Sequence, residues 1–429
     1  MGSSEREVSF GVRDDSGMGR GVYVRHRLDI SVADILFGVL SCGRVWRRKR
    51  LEAEVLRLCS LQDEGLISLS VRSGWDLWLA AQGFRAGDEV LVSAVTHPDM
   101  VRIIRAHGLR AVPVDIDPEA LAVRRRMLDA ALTRRTRVVL VAHLFGGRMD
   151  LGDVARFARE HGLLLVEDCA QAFQEPESMG DPAADVSMYS FGTLKTSTAL
   201  GGAILRVRDR EALDRMRGIQ ASYPMQGRGA YLKKLLKVLG LLAASRPRPY
   251  GLLAGACTWL GSDLDALVNG VVRGFPPQEP GATFFRRLRY RPSAPLLAML
   301  SRRLSTFDGE RLERRALTGG RFASRLREDL HPGWHSLRRT HWLFPVVVAD
   351  PEALILGLRQ HGLDASQATS SIAVIEASAG RSSPTKASLM MSGIVFLPVY
   401  QELPSGAFDA MAGLVNDCAA RGVAERVAL

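Results

Sequence analysis

The strongest constraint on the fold of this chain is an alternation of two apolar patterns between about residues 64 and 207. Short runs rich in β-branched residues alternate with segments whose apolar residues recur at helical spacing. This order is typical of an α/β fold, in which helices cover a mostly parallel central sheet. The predicted strands are 89–95, 110–115, 137–143, 163–168, 186–190 and 203–207. Asp150 is predicted to cap the helix that follows the third strand.

The sequence predicts four segments. A polar start without the apolar core of a secretory signal indicates a flexible N-terminal segment, 1–30. The alternating pattern belongs to a large domain, 31–224, which is followed by a basic apolar insert, 225–285, and a smaller C-terminal α+β domain, 286–429. The elements predicted for the small domain are a helical run from 311 to 326, strands at 342–348 and 394–399, and a helix near 351–361.

Composition excludes several classes of protein. A hydrophobic content of 47% supports a real core, and five widely spaced cysteines suggest neither a disulfide framework nor a metal site. We therefore expect no metal and a cytoplasmic location. The net charge of +11 suits an anionic partner. The densest basic run, at 44–50, could bind nucleic acid or lipid headgroups, but we favour its interpretation as a solvated helix face, because no nucleic-acid-binding motif accompanies it.

The insert allows two interpretations. Residues 231–242 mix leucines with Lys233, Lys234 and Lys237 and predict an amphipathic helix, while neither apolar stretch of the insert reaches the roughly 20 residues that span a bilayer. Such a helix could make a peripheral membrane contact. Alternatively, its apolar side packs on the large domain or covers the active-site entrance, and we favour this interpretation.

Polar residues follow the predicted strands at the edge where parallel sheets bind ligands. Asp168 ends one strand, Ser190 ends the next, and Lys195 follows five residues later. Upstream, Ser73 and Gly74 begin a helix whose free N–H groups could receive a phosphate. A lysine, a carboxylate and a phosphate-accepting helix are what pyridoxal 5'-phosphate (PLP) requires. Each of these residues could also be a surface or capping residue.

Three blocks carry a resemblance to a known family: VEDCAQAF (166–173), DVSMYSFGTLKT (185–196) and ALGGA (199–203). They resemble the DegT and StrS group of fold-type I PLP aminotransferases, which is best known for sugar aminotransferases. The likeness extends through residues 72–100, 112–117 and 143–146, and it is weaker in THWLFPVVV and FLPVYQELP of the C-terminal domain.

The resemblance implies a role for each matching residue. Lys195 would form the internal aldimine and then shuttle a proton, and Asp168 would pair with the pyridine nitrogen. Gln171 would neighbour the phenolic oxygen, and His97 would stack on the cofactor ring. Ser190 would bind the phosphate together with the backbone of Gly74 and Trp75. The plainer alternatives are turn chemistry at Ser190, a turn cap at Gln171 and a strand-end hydrogen bond at His97.

Several positions depart from the family pattern. Trp75 stands where a small threonine is usual, and the glycine-rich motif after the lysine is shortened to Ala199–Leu200–Gly201–Gly202. Arg289–Tyr290–Arg291 stands in place of the asparagine loop that reaches the partner subunit, and a homodimer is still implied. These changes leave the expected cofactor site largely intact and put the substrate in doubt.

Three functions remain open from the sequence. The first is amino transfer from an amino acid donor such as glutamate to a keto group, which the resemblance places on a nucleotide-linked sugar. The second is a degenerate PLP-fold binding or regulatory protein. The third is a membrane-surface PLP enzyme acting on a lipid-linked substrate through the 225–285 insert. Lys195 argues against the family's sugar dehydratases, which lack this lysine.

Overall fold

The computed structural model describes residues 21–260, 262, 282–367, 372–378 and 380–427. Most of the N-terminal segment and part of the insert therefore lie outside the described residues. The helices are α1 (Val32–Gly43), α2 (Arg48–Leu58), α3 (Val71–Ala81), α4 (Pro98–Ala106), α5 (Arg125–Ala131), α6 (Gly152–Glu160), α7 (Arg210–Ala221), α8 (Arg228–Ala244), α9 (Pro247–Trp259), α10 (Ala282–Leu288), α11 (Ala294–Ser305), α12 (Gly309–Ala323), α13 (Pro351–Gln360), α14 (Thr385–Ser392) and α15 (Ser405–Val427), and a short 3₁₀ turn covers Glu328–Leu330.

The strands form one large sheet and three small two-stranded sheets. They are β1 (Gly65–Ser68), β2 (Glu89–Ser93), β3 (Val95–Thr96), β4 (Arg110–Val114), β5 (Thr136–Ala142), β6 (Gly147–Arg148), β7 (Leu164–Asp168), β8 (Val186–Ser190), β9 (Ala203–Val207), β10 (Arg338–Arg339), β11 (Phe344–Val347), β12 (Ala373–Val374) and β13 (Ile394–Leu397). The large sheet has the order β1-β9-β8-β7-β5-β2-β4.

The large sheet is mostly parallel, as the sequence predicts. Strands β4, β2, β5, β7 and β8 run parallel, whereas β9 pairs antiparallel with both β8 and β1. Alternate residues of β5 enter different cores: Val138 and Leu140 lie on one face, and Val139 and Val141 lie on the other. Burial on both faces explains why these strands are continuous apolar runs.

The start of helix α6 differs from the prediction by one residue. Asp150 was predicted to cap α6, but the residue before the first helical turn is Leu151. The Asp150 carboxylate still accepts the N–H of Gly152 at 2.8 Å, so it satisfies a donor of the first turn from one position further out.

Residues 21–30 belong to the folded structure, although the sequence placed them in a flexible segment. Val22 and Val24 are buried against Tyr250 of α9. The guanidinium of Arg25 donates to the buried Asp364 carboxylate at 2.8 and 2.9 Å. These contacts join the segment to the small domain, whose core surrounds β11, β13, α13 and α15. The sequence did not predict these contacts, because Tyr250 and Asp364 are both distant from residues 21–30 along the chain.

The insert begins as two helices, α8 and α9, which Ser245 and Arg246 separate. Tyr231, Leu235 and Val238 of α8 are buried beside α1 and α11. The Tyr231 hydroxyl donates to the Ala199 carbonyl at 2.8 Å. The apolar side of α8 thus packs on the large domain, as the favoured interpretation expects. No helix among the described residues is long and apolar enough to cross a bilayer.

Candidate active site

Asp168 lies at the carboxyl end of β7, in the middle of the parallel strands. It pairs with Ala142 of β5 on one side and Met188 of β8 on the other. Its Oδ1 accepts the N–H of Ala170 at 2.9 Å. Burial raises the pKa of this carboxyl, while the Ala170 hydrogen bond and the positive charge of Lys195 oppose that change. The site therefore holds a buried carboxyl group that a nearby cation favours in its charged form.

Lys195 extends from the tight loop that follows β8. The hydroxyl of Thr198 donates to the Gly192 carbonyl at 2.6 Å, and the N–H groups of Ala199 and Gly201 both donate to Phe191. The Lys195 ammonium lies 4.2 Å from the centroid of the Trp342 ring. Mainly because of burial, the pKa of this amine falls from 10.5 to about 8, with Asp168 opposing the shift. A substantial share of the amine is thus neutral and nucleophilic near neutral pH.

The side chains of Trp342 and His26 lie beside Lys195. The sequence predicted neither of them at the site. Both side chains bond to the carbonyl of Leu194, Trp342 through Nε1 at 2.8 Å and His26 through Nε2 at 3.1 Å. Burial lowers the pKa of His26 to about 4, so its neutral ring donates from Nε2 to this carbonyl. The resemblance covers Trp342 only weakly, and His26 falls in the segment predicted to be flexible.

The start of α3 differs in detail from the predicted phosphate contact. The N–H of Gly74 donates to the carbonyl of Ser70 at 2.9 Å, so it is used within the helix. A Cβ at Gly74 would lie 2.6 Å from Leu205, which shows that this glycine allows α3 to pack closely on β9. The Trp75 side chain is fully buried, stacks on Trp78 and donates to Met100. Its ring therefore belongs to the core.

Two cations lie near the beginning of α3. Arg72 donates to Asp99 at 2.7 Å, and its charge lowers the pKa of Lys195. Burial and then the charge of Arg72 lower the pKa of Lys234 to about 8. Ser190, at the end of β8, accepts the Gly192 N–H at 3.4 Å. The sequence predicted Lys234 only as one of three lysines in an amphipathic helix. Its approach to Arg72 is therefore a result of tertiary packing.

His97 follows strand β3, and Gln171 lies three residues after the end of β7. His97 caps α4, where its Nδ1 accepts the N–H of Asp99 at 3.1 Å, and burial lowers its pKa to about 4. The Oε1 of Gln171 accepts the N–H of Phe145 at 2.8 Å. Phe145 has a φ of 57°, so the Gln171 amide holds a strained turn after β5. Both side chains thus accept hydrogen bonds from the nearby backbone, in addition to the cofactor contacts that are predicted for them.

A buried hydrogen-bond network surrounds Glu167, the residue that precedes Asp168. Glu167 accepts hydrogen bonds from His143 Nε2 at 2.9 Å and from Ser187 Oγ at 2.6 Å. These interactions lower its pKa to about 2 against the effect of burial. Ligand atoms of His143, Glu167 and Cys169 all lie within 4.8 Å of one another. Nδ1 of His143 already accepts the Met149 N–H, so the hydrogen bonds of this group indicate a structural network.

Arg289 and Arg291, which were predicted to stand in place of an asparagine loop, have partners within their own chain. Arg289 forms two hydrogen bonds with the fully buried Asp76 carboxylate, at 2.9 and 3.0 Å. His107 Nε2 lies 2.9 Å from the same carboxylate. Arg291 donates through Nε to the carbonyl of Tyr223 at 2.9 Å. Arg289 thus ties the segment after α10 to α3.

Residues 47–239 match the DegT/DnrJ/EryC1/StrS aminotransferase family. The match covers less than half of the chain. A segment of 102 residues is 43% identical to an L-glutamine:2-deoxy-scyllo-inosose aminotransferase of Streptomyces fradiae, over 23% of this chain and 24% of that protein. A segment of 176 residues is 30% identical to a pleiotropic regulatory protein of Geobacillus stearothermophilus, over 40% of this chain and 47% of that protein. The chain thus aligns with less than half the length of these curated relatives.

Solved structures show the same fold over nearly the whole chain. The aminotransferase TlmJ from Streptoalloteichus hindustanus has a TM-score of 0.68 at 20% identity and covers 94% of this chain and 100% of its own. DesI, solved with its TDP-sugar product, has a TM-score of 0.63 at 19% identity, with 96% and 97% covered. NtdA from Bacillus subtilis, with bound cofactor PMP, has a TM-score of 0.62 at 15% identity, with 94% and 87% covered. The chain therefore has the fold-type I architecture of these structures.

The residues present fit the cofactor of this aminotransferase family. Asp168 and Lys195 approach each other at the carboxyl ends of β7 and β8, and each influences the pKa of the other. Near the start of α3, Arg72 and Lys234 repel each other, which is a situation that a bound phosphate dianion would relieve. A buried carboxyl, an amine with a lowered pKa and a cationic end are the three complements that PLP needs.

Proposed function

We propose that this protein is a PLP-dependent aminotransferase that transfers an amino group from an amino acid donor to a keto group on a nucleotide-linked sugar. The observation that carries the proposal is the pair formed by Asp168 and Lys195. One is a buried carboxyl group at a central strand end, and the other is an amine whose pKa is lowered to about 8. The family match of residues 47–239 supports the same activity.

When bound, PLP supplies an electron sink for the substrate carbon that loses its proton. Asp168 would face the pyridine nitrogen, where its negative charge keeps that nitrogen protonated. The Lys195 amine would accept and return the proton, since a pKa near the operating pH favours transfer in both directions. Ser190, Arg72 and Lys234 would hold the phosphate. Gln171 and His97 would border the ring.

A cationic cavity beside Trp342 supports a phosphate-bearing substrate. It has a volume of about 520 Å³ and its lining includes Arg303, Arg311 and Arg315. Arg303 and Arg311 both bond to Asp29, whereas Arg315 donates to two neutral oxygens, those of Thr340 and Thr196. Thr196 follows Lys195 directly. The guanidinium of Arg315 thus lies next to the chain neighbour of Lys195, where its positive charge would attract a sugar-linked diphosphate.

The alternative is a regulatory protein that keeps the fold without the reaction. The name of the Geobacillus stearothermophilus relative is the observation that favours it. The two functions differ in what the amine of Lys195 does when the cofactor is supplied.

The test is to add PLP to the purified protein, reduce it with borohydride and map the pyridoxylated peptide. We expect the label on Lys195 and its loss in Lys195→Ala, while Lys233→Ala, which removes an exposed lysine of α8, keeps it. Asp168→Asn should retain cofactor and fold but slow half-transamination by orders of magnitude, because the charge opposite the ring nitrogen is removed. A label confined to other lysines, or near-normal turnover in Asp168→Asn, would refute the proposal.

A further inference from the structure

The exposed apolar side chains of the described residues are concentrated on one group of helices. Twelve large apolar side chains are exposed, and eight of them lie on α1, on the loop after it, on α8 or at α9. This set, which we call the apolar face, consists of Val32, Leu36, Leu40, Val45, Leu236, Leu252, Trp259 and Leu260. Scattered exposed leucines need no explanation, but a concentration of this kind marks a binding surface.

The elements that carry the apolar face adjoin one another. Leu235 of α8 fits against Gly38 of α1, where a Cβ would lie 2.7 Å from the leucine side chain. Arg228, at the start of α8, donates to the carbonyl of Arg44 after α1 at 3.1 Å. Helix α9 then packs against α8. The three helices that carry the apolar face are therefore neighbours in the fold.

Basic residues predominate among the charges around the apolar face. Residues 225–260 contain six lysines and arginines and no aspartate or glutamate. Residues 35–51 contain five lysines and arginines and again no acidic residue. A cavity of about 520 Å³ opens between α1, α2 and α11, and its lining includes Phe37 and Trp46, the basic residues Arg44, Arg47 and Arg50, and one acidic residue, Glu54. The guanidinium of Arg44 stacks 4.5 Å from the Trp46 ring centroid.

We propose that the apolar face docks this protein on the surface of an anionic lipid bilayer. Exposed leucines and a tryptophan would enter the interface, while the surrounding arginines and lysines would meet lipid phosphates. A second copy of the chain fits less well, because a two-fold contact through this face would bring like charges together. The inward sides of α1 and α8 remain packed in the core, so docking requires no unfolding.

The test uses the full chain and two kinds of vesicle: pure phosphatidylcholine, and equal parts phosphatidylcholine and phosphatidylglycerol. We expect co-sedimentation with the second kind only, and less of it at high salt, which screens the lysines and arginines. The double variant Leu40→Glu, Leu252→Glu should bind at least about tenfold more weakly, since two apolar side chains no longer enter the interface. The matched control, Leu317→Glu with Leu389→Glu, changes two leucines that are 60% and 75% exposed elsewhere and should bind normally.

Light scattering without vesicles separates docking from self-association. The molecular mass of the Leu40→Glu, Leu252→Glu protein should equal that of the parent, and thermal unfolding of both double variants should be similar. A lower mass in this variant alone would show that the apolar face is a contact between copies and would overturn the proposal. Absent binding to anionic vesicles, or equal binding to both vesicle types, would overturn it as well. None of these results depends on aminotransferase activity.

Discussion

At the level of single residues, the reactivity of Lys195 is a balance among its neighbours. Burial favours the neutral amine, the Asp168 carboxylate favours the charged form and Arg72 disfavours it, with a resulting pKa of about 8. The Trp342 ring, 4.2 Å away, also favours the charged form through its π-electrons. The amine is therefore available for reaction without being permanently neutral.

This balance predicts a pH dependence in cofactor-free protein. The rate at which Lys195 reacts with an aldehyde should rise with pH and level off above about 8, because only the neutral amine is nucleophilic. Trp342→Leu should move the midpoint to lower pH, since a group that stabilises the ammonium is removed. Stopped-flow absorbance with pyridoxal measures both profiles. A midpoint near the usual lysine pKa in the parent would contradict the expectation.

At the level of elements, α8 connects the insert to the site. Tyr231 anchors the helix to the loop that carries Lys195, and Lys234 lies three residues later on the same side of the helix. The mutual repulsion of Lys234 and Arg72 indicates that the two cations share one region. We infer that α8 brings a phosphate-binding cation to the cofactor site.

The role of α8 predicts a difference between two ligands. Lys234→Gln should weaken PLP binding about tenfold, because one charge-assisted contact to the phosphate is lost. Binding of pyridoxal, which has no phosphate, should be unchanged. Lys233→Gln, the exposed neighbour, is the control and should bind both ligands normally. Titration of the cofactor absorbance gives the four dissociation constants, and equal losses for PLP and pyridoxal would show that Lys234 acts only on structure.

At the level of the whole molecule, the assembly remains a prediction. A homodimer is implied by the family, but Arg289, the residue at the position that would reach across, bonds to Asp76 of its own chain. We therefore expect a dimer by light scattering in both the parent and Arg289→Ala. The free energy of unfolding of the variant should be about 3 kcal/mol lower than that of the parent, because the buried Asp76 carboxylate loses its arginine. A monomeric, fully active parent would contradict the dimer.

The sequence by itself determined the central sheet and the order of the chemical groups along it. Strand 186–190 was predicted with its observed bounds, and strand 163–168 within one residue, because buried parallel strands are short apolar runs ended by polar residues. Asp168 and Lys195 follow such runs, so their meeting at one sheet edge could be expected.

Tertiary structure alone decided what surrounds those groups. The pairing of β3 with β12 joins residues 95–96 to 373–374, and no local pattern predicts so short a strand. Likewise, His26 and Trp342 meet at Leu194 although 316 residues of chain separate them. The N–H of Gly74 was expected to face a ligand, yet the helix begins early enough to use it. Local sequence specifies periodicity and end signals, whereas the neighbours of a side chain depend on how distant segments pack.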